Sequence, residues 1–227
     1  MFRWFSTHVL YTVTGISVAL ALVGALAIAP TERIQGPAQR IVYFHAPVAW
    51  CAYLAFAVVF VASILVLVRR SHVADRLATA SAEVGVVFTT LTLITGAIWG
   101  RPIWGTWWTW DARLTTTLFL WFIYVGYLSI KSSIVDPGRA ARFSAAIGII
   151  GFIDVPIIHQ SVVWWRTLHP QSITFASGGP AMPPIMLAVL AFSFAAFTLL
   201  YASLTVARYR LDAVTSEVRA LRLALAA

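Results

Sequence analysis

Residues 46–68 of the chain read APVAWCAYLAFAVVFVASILVLV, a run without a single charged side chain. A helix needs roughly 20 mainly apolar residues to cross the hydrocarbon core of a bilayer, so this run predicts a membrane-spanning helix. The rest of the chain has the same character, because 60% of its 227 residues are hydrophobic and only 11% are charged. Soluble domains carry about 25% charged residues. The sequence therefore predicts an integral membrane protein.

Five more segments of this kind lie along the chain, and only one of them contains an acid, Asp154. The six predicted spans are residues 9–29, 46–68, 84–99, 114–130, 143–165 and 184–207. They predict an all-α, polytopic fold in which residues 1–227 form a single transmembrane domain. Residues 208–227 carry an apolar stripe and predict a cytoplasmic tail helix, on the membrane surface or against a partner. The first segment also resembles a signal peptide, but its long apolar run favours a retained anchor.

Positive charges are concentrated in alternate connections between the predicted spans. Eleven of the 16 Lys and Arg residues lie at the N-terminus, in the second and fourth loops and in the tail. The first, third and fifth loops hold the rest, which are Arg33, Arg40, Arg101, Arg113 and Arg166. Because cytoplasmic loops carry the excess of bases, both termini are predicted in the cytoplasm and the odd-numbered loops outside. The net charge of +8 thus reflects topology and predicts no nucleic-acid partner.

Two residue types exclude further classes of protein. Cys51 is the only cysteine, so the chain has neither an intramolecular disulfide nor a motif for covalent heme attachment. The only lysine, Lys131, does not follow a glycine-rich loop, so the chain has no phosphate-binding motif of an ATPase. Any ATPase activity would belong to another subunit.

The third loop, residues 99–113, reads WGRPIWGTWWTWDAR and holds five tryptophans within twelve residues. An aromatic belt at the membrane interface is one interpretation, but belts usually place fewer indoles at a helix end. Glycines in this loop let the backbone bend, so that several rings can face one flat apolar ligand. Flanking arginines, Arg101 and Arg113, are natural partners for carboxylates. A planar apolar body with two acidic groups describes heme. The predicted platform consists of Trp104, Trp107, Trp108, Trp110 and Asp111.

Two histidines lie in the outer loops. His45 is at the end of the first loop, and His169 is in the fifth, where Pro170 should keep it out of helical conformation. A lone interfacial histidine is usually not a ligand, but two on the Trp-rich side can supply both axial positions of a heme iron. Asp111 precedes the fourth span and predicts a helix cap, which is compatible with orienting a neighbouring side chain.

A charged residue inside a span is costly, so Asp154 is a second candidate for function. His159, in the same span, could join it in a local polar cluster, or Asp154 could be protonated and paired to a neighbouring helix. This pair motivates an alternative hypothesis, a permease subunit that exports heme or another small substrate. A membrane cytochrome that transfers electrons is a third possibility, but such proteins usually bind heme inside the spans.

The run WGTWWTWDARLT, residues 104–115, resembles the tryptophan-rich motif of heme-handling membrane proteins, and specifically that of the cytochrome c maturation protein C family. The sequences around His45 and His169 resemble the two heme-ligand histidines of that family. Related heme lyases have proline after the aspartate and are much larger, whereas Ala112 follows Asp111 here. The resemblance covers about residues 40–182.

The resemblance implies a site facing the periplasm from the bacterial inner membrane. The protein would bind b-type heme non-covalently and transiently. It would deliver this heme to a periplasmic heme chaperone for c-type cytochrome biogenesis. Implied partners are that chaperone, a small single-span membrane protein, the ATPase and permease subunits of an ABC-type assembly, and membrane lipid. We interpret the chain as a binding and delivery protein rather than an enzyme, with promotion of heme attachment to the chaperone left open.

Overall fold

A computed structural model describes residues 2–169 and 182–226, with the side chains of residues 7–169 and 182–225. Seven α-helices occupy this part of the chain: α1 (Phe2–Val23), α2 (Val42–Arg69), α3 (His72–Trp104), α4 (Ala112–Ser133), α5 (Pro137–Phe152), α6 (Asp154–Trp164) and α7 (Pro184–Ala226). A π-helical turn, Gly24–Ile28, extends α1, and a 3-10 turn, Pro37–Ile41, leads into α2. The predicted all-α class is confirmed.

Six helical segments of the described chain are long and apolar enough to cross a membrane. They are Thr7–Ile28, Pro37–Arg69, His72–Trp104, Ala112–Ser133, Pro137–Trp164 and Pro184–Leu225. Each contains most of one predicted span, so the predicted number of spans is confirmed. The last two differ from the prediction in ways that matter for the architecture.

The fifth span is not one continuous α-helix. The α-helical assignment is interrupted at Ile153, between α5 and α6, and Asp154 is the first residue of α6. Pro156 follows within the first turn of α6, where the missing backbone N–H costs least. Asp154 therefore lies at a break in the span.

Residues 208–226 are helical, as predicted for the tail, but they continue the last span, because α7 runs without interruption over 43 residues. No glycine or proline follows Pro184 to end it. At about 1.5 Å per residue α7 is much longer than the ~30 Å hydrocarbon core, so its C-terminal part extends beyond the bilayer. There Asp212 pairs with Arg76 at 2.9 Å, and Arg208 pairs with Glu83, for which the sequence had predicted no role.

Helix α2 lies at the centre, packed against α3, α5 and α7, while α4 packs on α3, α5 and α6, and α1 on α7. Small residues allow this close packing. A Cβ atom on Gly148 of α5 would lie 2.7 Å from Ser63 Oγ and 2.9 Å from Val59 Cγ1 of α2. Ser81 of α3 donates to the Ala55 carbonyl at 2.8 Å and bonds Tyr201 of α7 at the same distance. Such contacts are typical of helix packing in membranes.

Successive spans run antiparallel, so the first and third connections lie at one end of the bundle, together with the described residues of the fifth, 165–169 and 182–183. This end, called the histidine end below, is where α1, α3 and α6 finish and where α2, α4 and α7 begin. Packing of Met182, just before α7, with Ala29 and Tyr43 supports this arrangement. The side of the membrane that this end faces stays a prediction.

Candidate heme-binding site

His169 is fixed by Asp111, across the gap between α6 and α4. Its Nδ1 lies 3.2 Å from Asp111 Oδ2, and the Thr167 hydroxyl donates to the same oxygen at 2.8 Å. The other oxygen, Oδ1, accepts from the backbone N–H of Leu114 at 2.9 Å, so the predicted cap of α4 is confirmed. His169 follows the end of α6 and is not helical, as predicted, while Pro170 lies outside the described residues. Asp111 thus caps a helix and orients an imidazole with one carboxylate.

His45 lies in the first turn of α2, so its prediction as a loop residue is wrong. The helix begins at Val42, directly after the 3-10 turn, and it continues through Pro47. The His45 Nδ1 lies 3.0 Å from Thr95 Oγ1 of α3. Its ring makes an edge contact with Trp99, at 5.7 Å between ring centroids.

Both histidines are held through Nδ1, which leaves Nε2 as the candidate iron ligand. The Thr95 hydroxyl donates to the Leu91 carbonyl at 2.7 Å, so its oxygen accepts from His45 Nδ1–H. Asp111 accepts from His169 Nδ1–H in the same way when the carboxyl is ionised. The side-chain hydrogen bonds of both rings within residues 2–169 and 182–226 are made through Nδ1, and the backbone of Thr92 is a further hydrogen-bond partner of the His45 imidazole. A metal-binding imidazole commonly has this arrangement, with one nitrogen bound to a protein acceptor and the other directed at the metal.

The protonation states of Asp111 and His169 fit these tautomers. Burial raises the pKa of Asp111, but hydrogen bonds from Leu114 N–H, Thr167 and His169 outweigh it and hold the pKa below its ordinary value. Burial lowers the pKa of His169, and this exceeds the opposing effect of Asp111. Near neutral pH, Asp111 is therefore ionised and His169 is neutral.

The two imidazoles and Arg113 occupy one region. His169 and Arg113 are near enough to His45 to interact with it electrostatically. Arg113, in the first turn of α4, also lies beside the hydroxyl of Tyr53 from α2. It is therefore part of the packed histidine end rather than an isolated loop charge.

The tryptophan-rich stretch is helical for longer than predicted. Helix α3 continues through Pro102 to Trp104 and ends at Gly105, whose φ of +76° is readily adopted only by glycine. Gly100 does not bend the chain but gives room to Trp104, since a Cβ there would lie 3.0 Å from that ring. Trp104 makes an edge contact with His169, at 4.8 Å between centroids. Arg101 donates to the Gly105 carbonyl at the helix end.

The other three predicted platform residues differ in exposure. Trp107 and Trp110 are 59% and 75% exposed, whereas Trp108 is half-buried and packs edge-on against Trp110 at 5.5 Å. In the described part of the chain none of the three makes a ring contact with either histidine. The Trp108 Nε1 is buried without a hydrogen-bond partner among those residues. A cavity of about 180 Å³ lies beside Trp110 and is lined by Thr115, Leu118, Phe119 and Phe122.

Three residues that hold the imidazoles were not predicted from the sequence. Thr95 lies 50 positions from His45, Trp99 was counted only as part of the cluster, and Thr167 was not considered. Only the short spacing of Thr167 and His169 could have indicated a local hydrogen bond, and Thr167 Oγ does accept from the His169 backbone N–H at 3.2 Å.

The predicted polar cluster of Asp154 and His159 does not form. His159 is exposed, and the Asp154 Oδ2 is buried without a hydrogen-bond partner in residues 2–169 and 182–226. Asp154 is placed near Tyr53 and Tyr124, with which it interacts electrostatically, rather than bonded to His159.

The family model and three of the relatives that match this chain carry the same family description. The family model described as "Heme exporter protein C" matches residues 1–224. The chain is similar to heme exporter protein C of Bradyrhizobium diazoefficiens, at 39% identity over 220 residues that cover 96% of this chain and 84% of that protein. It is also similar to the Escherichia coli (strain K12) protein of that name, at 40% identity over 197 residues, covering 86% of this chain and 79% of the relative. The protein from Haemophilus influenzae is 37% identical over 206 residues, covering 91% and 84%.

Proposed function

Since the chain belongs to the heme exporter protein C family, we propose that it binds heme at the histidine end and passes it on for cytochrome c biogenesis. His45 and His169 are the proposed axial ligands. The observation that carries this assignment is the shared tautomer, in which each Nδ1 is bound to a protein acceptor and each Nε2 is left for iron. Heme is the cargo of the protein, held without a covalent bond.

The residues present fit a heme. Trp104 and Trp99 lie against the two imidazoles, and the exposed faces of Trp107 and Trp110 extend the aromatic surface outward. Large aromatic faces bury a planar macrocycle with little loss of rotamer entropy. The unpaired Trp108 Nε1 is a hydrogen-bond donor that a carboxylate can satisfy.

Two arginines are available for the propionates. Arg113 lies among the imidazoles, and Arg101 uses one of its five N–H donors on the Gly105 carbonyl, which leaves others for a ligand. Bidentate pairing of guanidinium with carboxylate is favourable in a partly dry site. The protein thus orients two imidazole nitrogens towards the iron, excludes water from one side of the heme and neutralises the propionates.

Delivery is proposed to occur from the exposed side of the tryptophans to a periplasmic heme chaperone, with attachment of heme to that chaperone favoured by its alignment at this site. A small single-span membrane protein and the subunits of an ABC-type assembly are the other proposed partners. This sequence has no phosphate-binding motif, so the ATPase of such an assembly would be a separate subunit.

Heme content tests the ligand assignment. The protein is purified from membranes as wild type, as the double variant His45→Ala with His169→Ala, and as the control His159→Ala, which changes an exposed histidine. We expect wild type and control to carry heme with the same absorption spectrum and the double variant to carry little. Unchanged heme and an unchanged spectrum in the double variant would refute the assignment.

Orientation is testable because the only native cysteine, Cys51, is fully buried. Ile34, in the first connection, is 92% exposed, and Val135, in the fourth connection at the opposite end, is 97% exposed. A membrane-impermeant maleimide applied to spheroplasts should label Ile34→Cys and spare Val135→Cys until the membrane is opened. The reverse pattern would place the histidine end in the cytoplasm.

A further inference from the structure

The two proposed ligands are held by unlike acceptors. His169 Nδ1 faces a carboxylate, that of Asp111, at 3.2 Å, whereas His45 Nδ1 faces the neutral hydroxyl of Thr95 at 3.0 Å. Hydrogen bonds to an ionised acceptor are roughly twice as strong as those between neutral groups. Building on the proposed function, we propose that Asp111 is a positioning residue that makes His169 the stronger, retained ligand and leaves His45 as the ligand that yields when heme departs.

Asp111 is fixed more firmly than an isolated carboxylate. Its Oδ1 accepts from the Leu114 backbone N–H, and its Oδ2 accepts from Thr167 as well as from His169. The side chain is 8% exposed, so water competes little for these bonds. Each oxygen therefore has a separate task, one in the cap of α4 and one in the orientation of the imidazole.

The His45 imidazole is held by a weaker acceptor than His169. The Thr95 hydroxyl gives its proton to the Leu91 carbonyl, so it offers His45 only a neutral oxygen. A carboxylate acceptor increases the electron donation of an imidazole to iron, which favours ferric over ferrous iron. The ligand pair is therefore unequal, and exchange of one ligand for a group from a partner occurs at the His45 side.

Asp111→Asn separates the two tasks of Asp111. Asparagine caps helices as well as aspartate does, so its oxygen can keep the Leu114 bond. Its NH₂ group then faces His169 Nδ1, and two donors cannot pair. The imidazole then favours the tautomer with its proton on Nε2, and this competes with iron binding, so His169 becomes a weaker ligand. Asp136→Asn is the matched control, because Asp136 caps α5 through Arg139 N–H at 2.7 Å, at the other end of the bundle.

The first test measures heme dissociation and midpoint potential for wild type, Asp111→Asn, Thr95→Val and Asp136→Asn in detergent. Loss of an outer hydrogen-bond partner typically weakens metal binding about 10–100-fold. We expect Asp111→Asn to lose heme faster by that factor and to raise the potential, by about 59 mV for each tenfold loss of ferric preference. Thr95→Val should change both less, and Asp136→Asn should match wild type.

The second test identifies the retained ligand. Carbon monoxide is bound to the ferrous protein and removed by a light pulse, and the iron–histidine stretching band of the transient five-coordinate heme is recorded. Asp111→Asn should lower its frequency, and Thr95→Val should not. If Asp111→Asn holds too little heme, Thr167→Val, which removes a competing donor from the same carboxylate oxygen and so strengthens its bond with His169 Nδ1–H, should raise the frequency instead.

The outcomes separate this inference from the proposed function. A wild-type protein without bound heme would refute the proposed function itself. Heme bound by both histidines, with Asp111→Asn equal to wild type in dissociation and potential, would refute only the role of Asp111. A band that shifts in Thr95→Val and not in Asp111→Asn would show that His45 is the retained ligand.

Discussion

Gly96→Ala should weaken heme binding without destabilising the protein. Gly96 lies in α3, and a Cβ atom there would be 3.2 Å from Cε1 of His45, whereas ordinary contacts begin near 3.4 Å. The imidazole must therefore move by a few tenths of an ångström, at the expense of its 3.0 Å hydrogen bond to Thr95.

The size of both effects follows from these contacts. A neutral hydrogen bond contributes about 0.5–1.5 kcal/mol, so its loss corresponds to roughly 2- to 10-fold weaker heme binding at about 1.4 kcal/mol per tenfold. Alanine favours a helix over glycine by about 0.5–1 kcal/mol, which roughly offsets the loss of the hydrogen bond, so the heme-free variant should be about as stable as wild type.

Gly126→Ala is the matched control, because nothing lies within 4 Å of a Cβ at that position of α4. Heme is titrated into the heme-free proteins in nanodiscs and followed by the Soret band, and thermal unfolding is measured without heme. The control should gain the full stabilisation of alanine in a helix, because it disturbs no hydrogen bond, and should bind heme as wild type does. Equal heme affinity in Gly96→Ala and wild type would refute the placement of His45 against Gly96.

Two further predictions concern packing and pH. Gly148→Ala should lower the heme-free unfolding temperature relative to Gly126→Ala, because its methyl group would lie 2.7 Å from Ser63 Oγ and 2.9 Å from Val59 Cγ1. Such overpacking costs about 1–3 kcal/mol. An unchanged unfolding temperature would contradict the close contact of α2 and α5. The folded-state pKa of Asp111 is below its ordinary value, so its stabilising effect is present above about pH 4 and is lost as the pH falls through the lowered value. The stability difference between heme-free wild type and Asp111→Asn should therefore shrink from pH 6 towards pH 3, and a constant difference would argue against an ionised, hydrogen-bonded Asp111.

The number of spans could be predicted from the sequence because charge-free runs of sufficient length are rare outside membranes. The positions of the helix ends could not be predicted, because a helix can continue through polar residues beyond the apolar run. Helix α3 starts at His72, well before the predicted residue 84, since Ser71 caps it by accepting from Ala74 N–H at 3.2 Å. Asp75 pairs there with Lys131 of α4, which gives that early part of α3 a partner.

The candidate site was predictable as a set of residue types but not as a set of contacts. The tryptophan cluster and both histidines are visible in the sequence, and the cap by Asp111 follows from its position before an apolar run. The pairing of Asp111 with His169 joins positions 58 apart, and that of His45 with Thr95 joins positions 50 apart. Only the packing of α2, α3, α4 and α6 at one end brings these side chains together.

Pulsed electron paramagnetic resonance on the ferric, heme-loaded protein tests the central claim most directly. With ¹⁵N-labelled histidine, the account predicts a low-spin iron coupled to two imidazole nitrogens, one coupling lost in His45→Gly and the other in His169→Gly. A spectrum with fewer than two imidazole couplings, or with both couplings retained when His45 and His169 are replaced together, would contradict it.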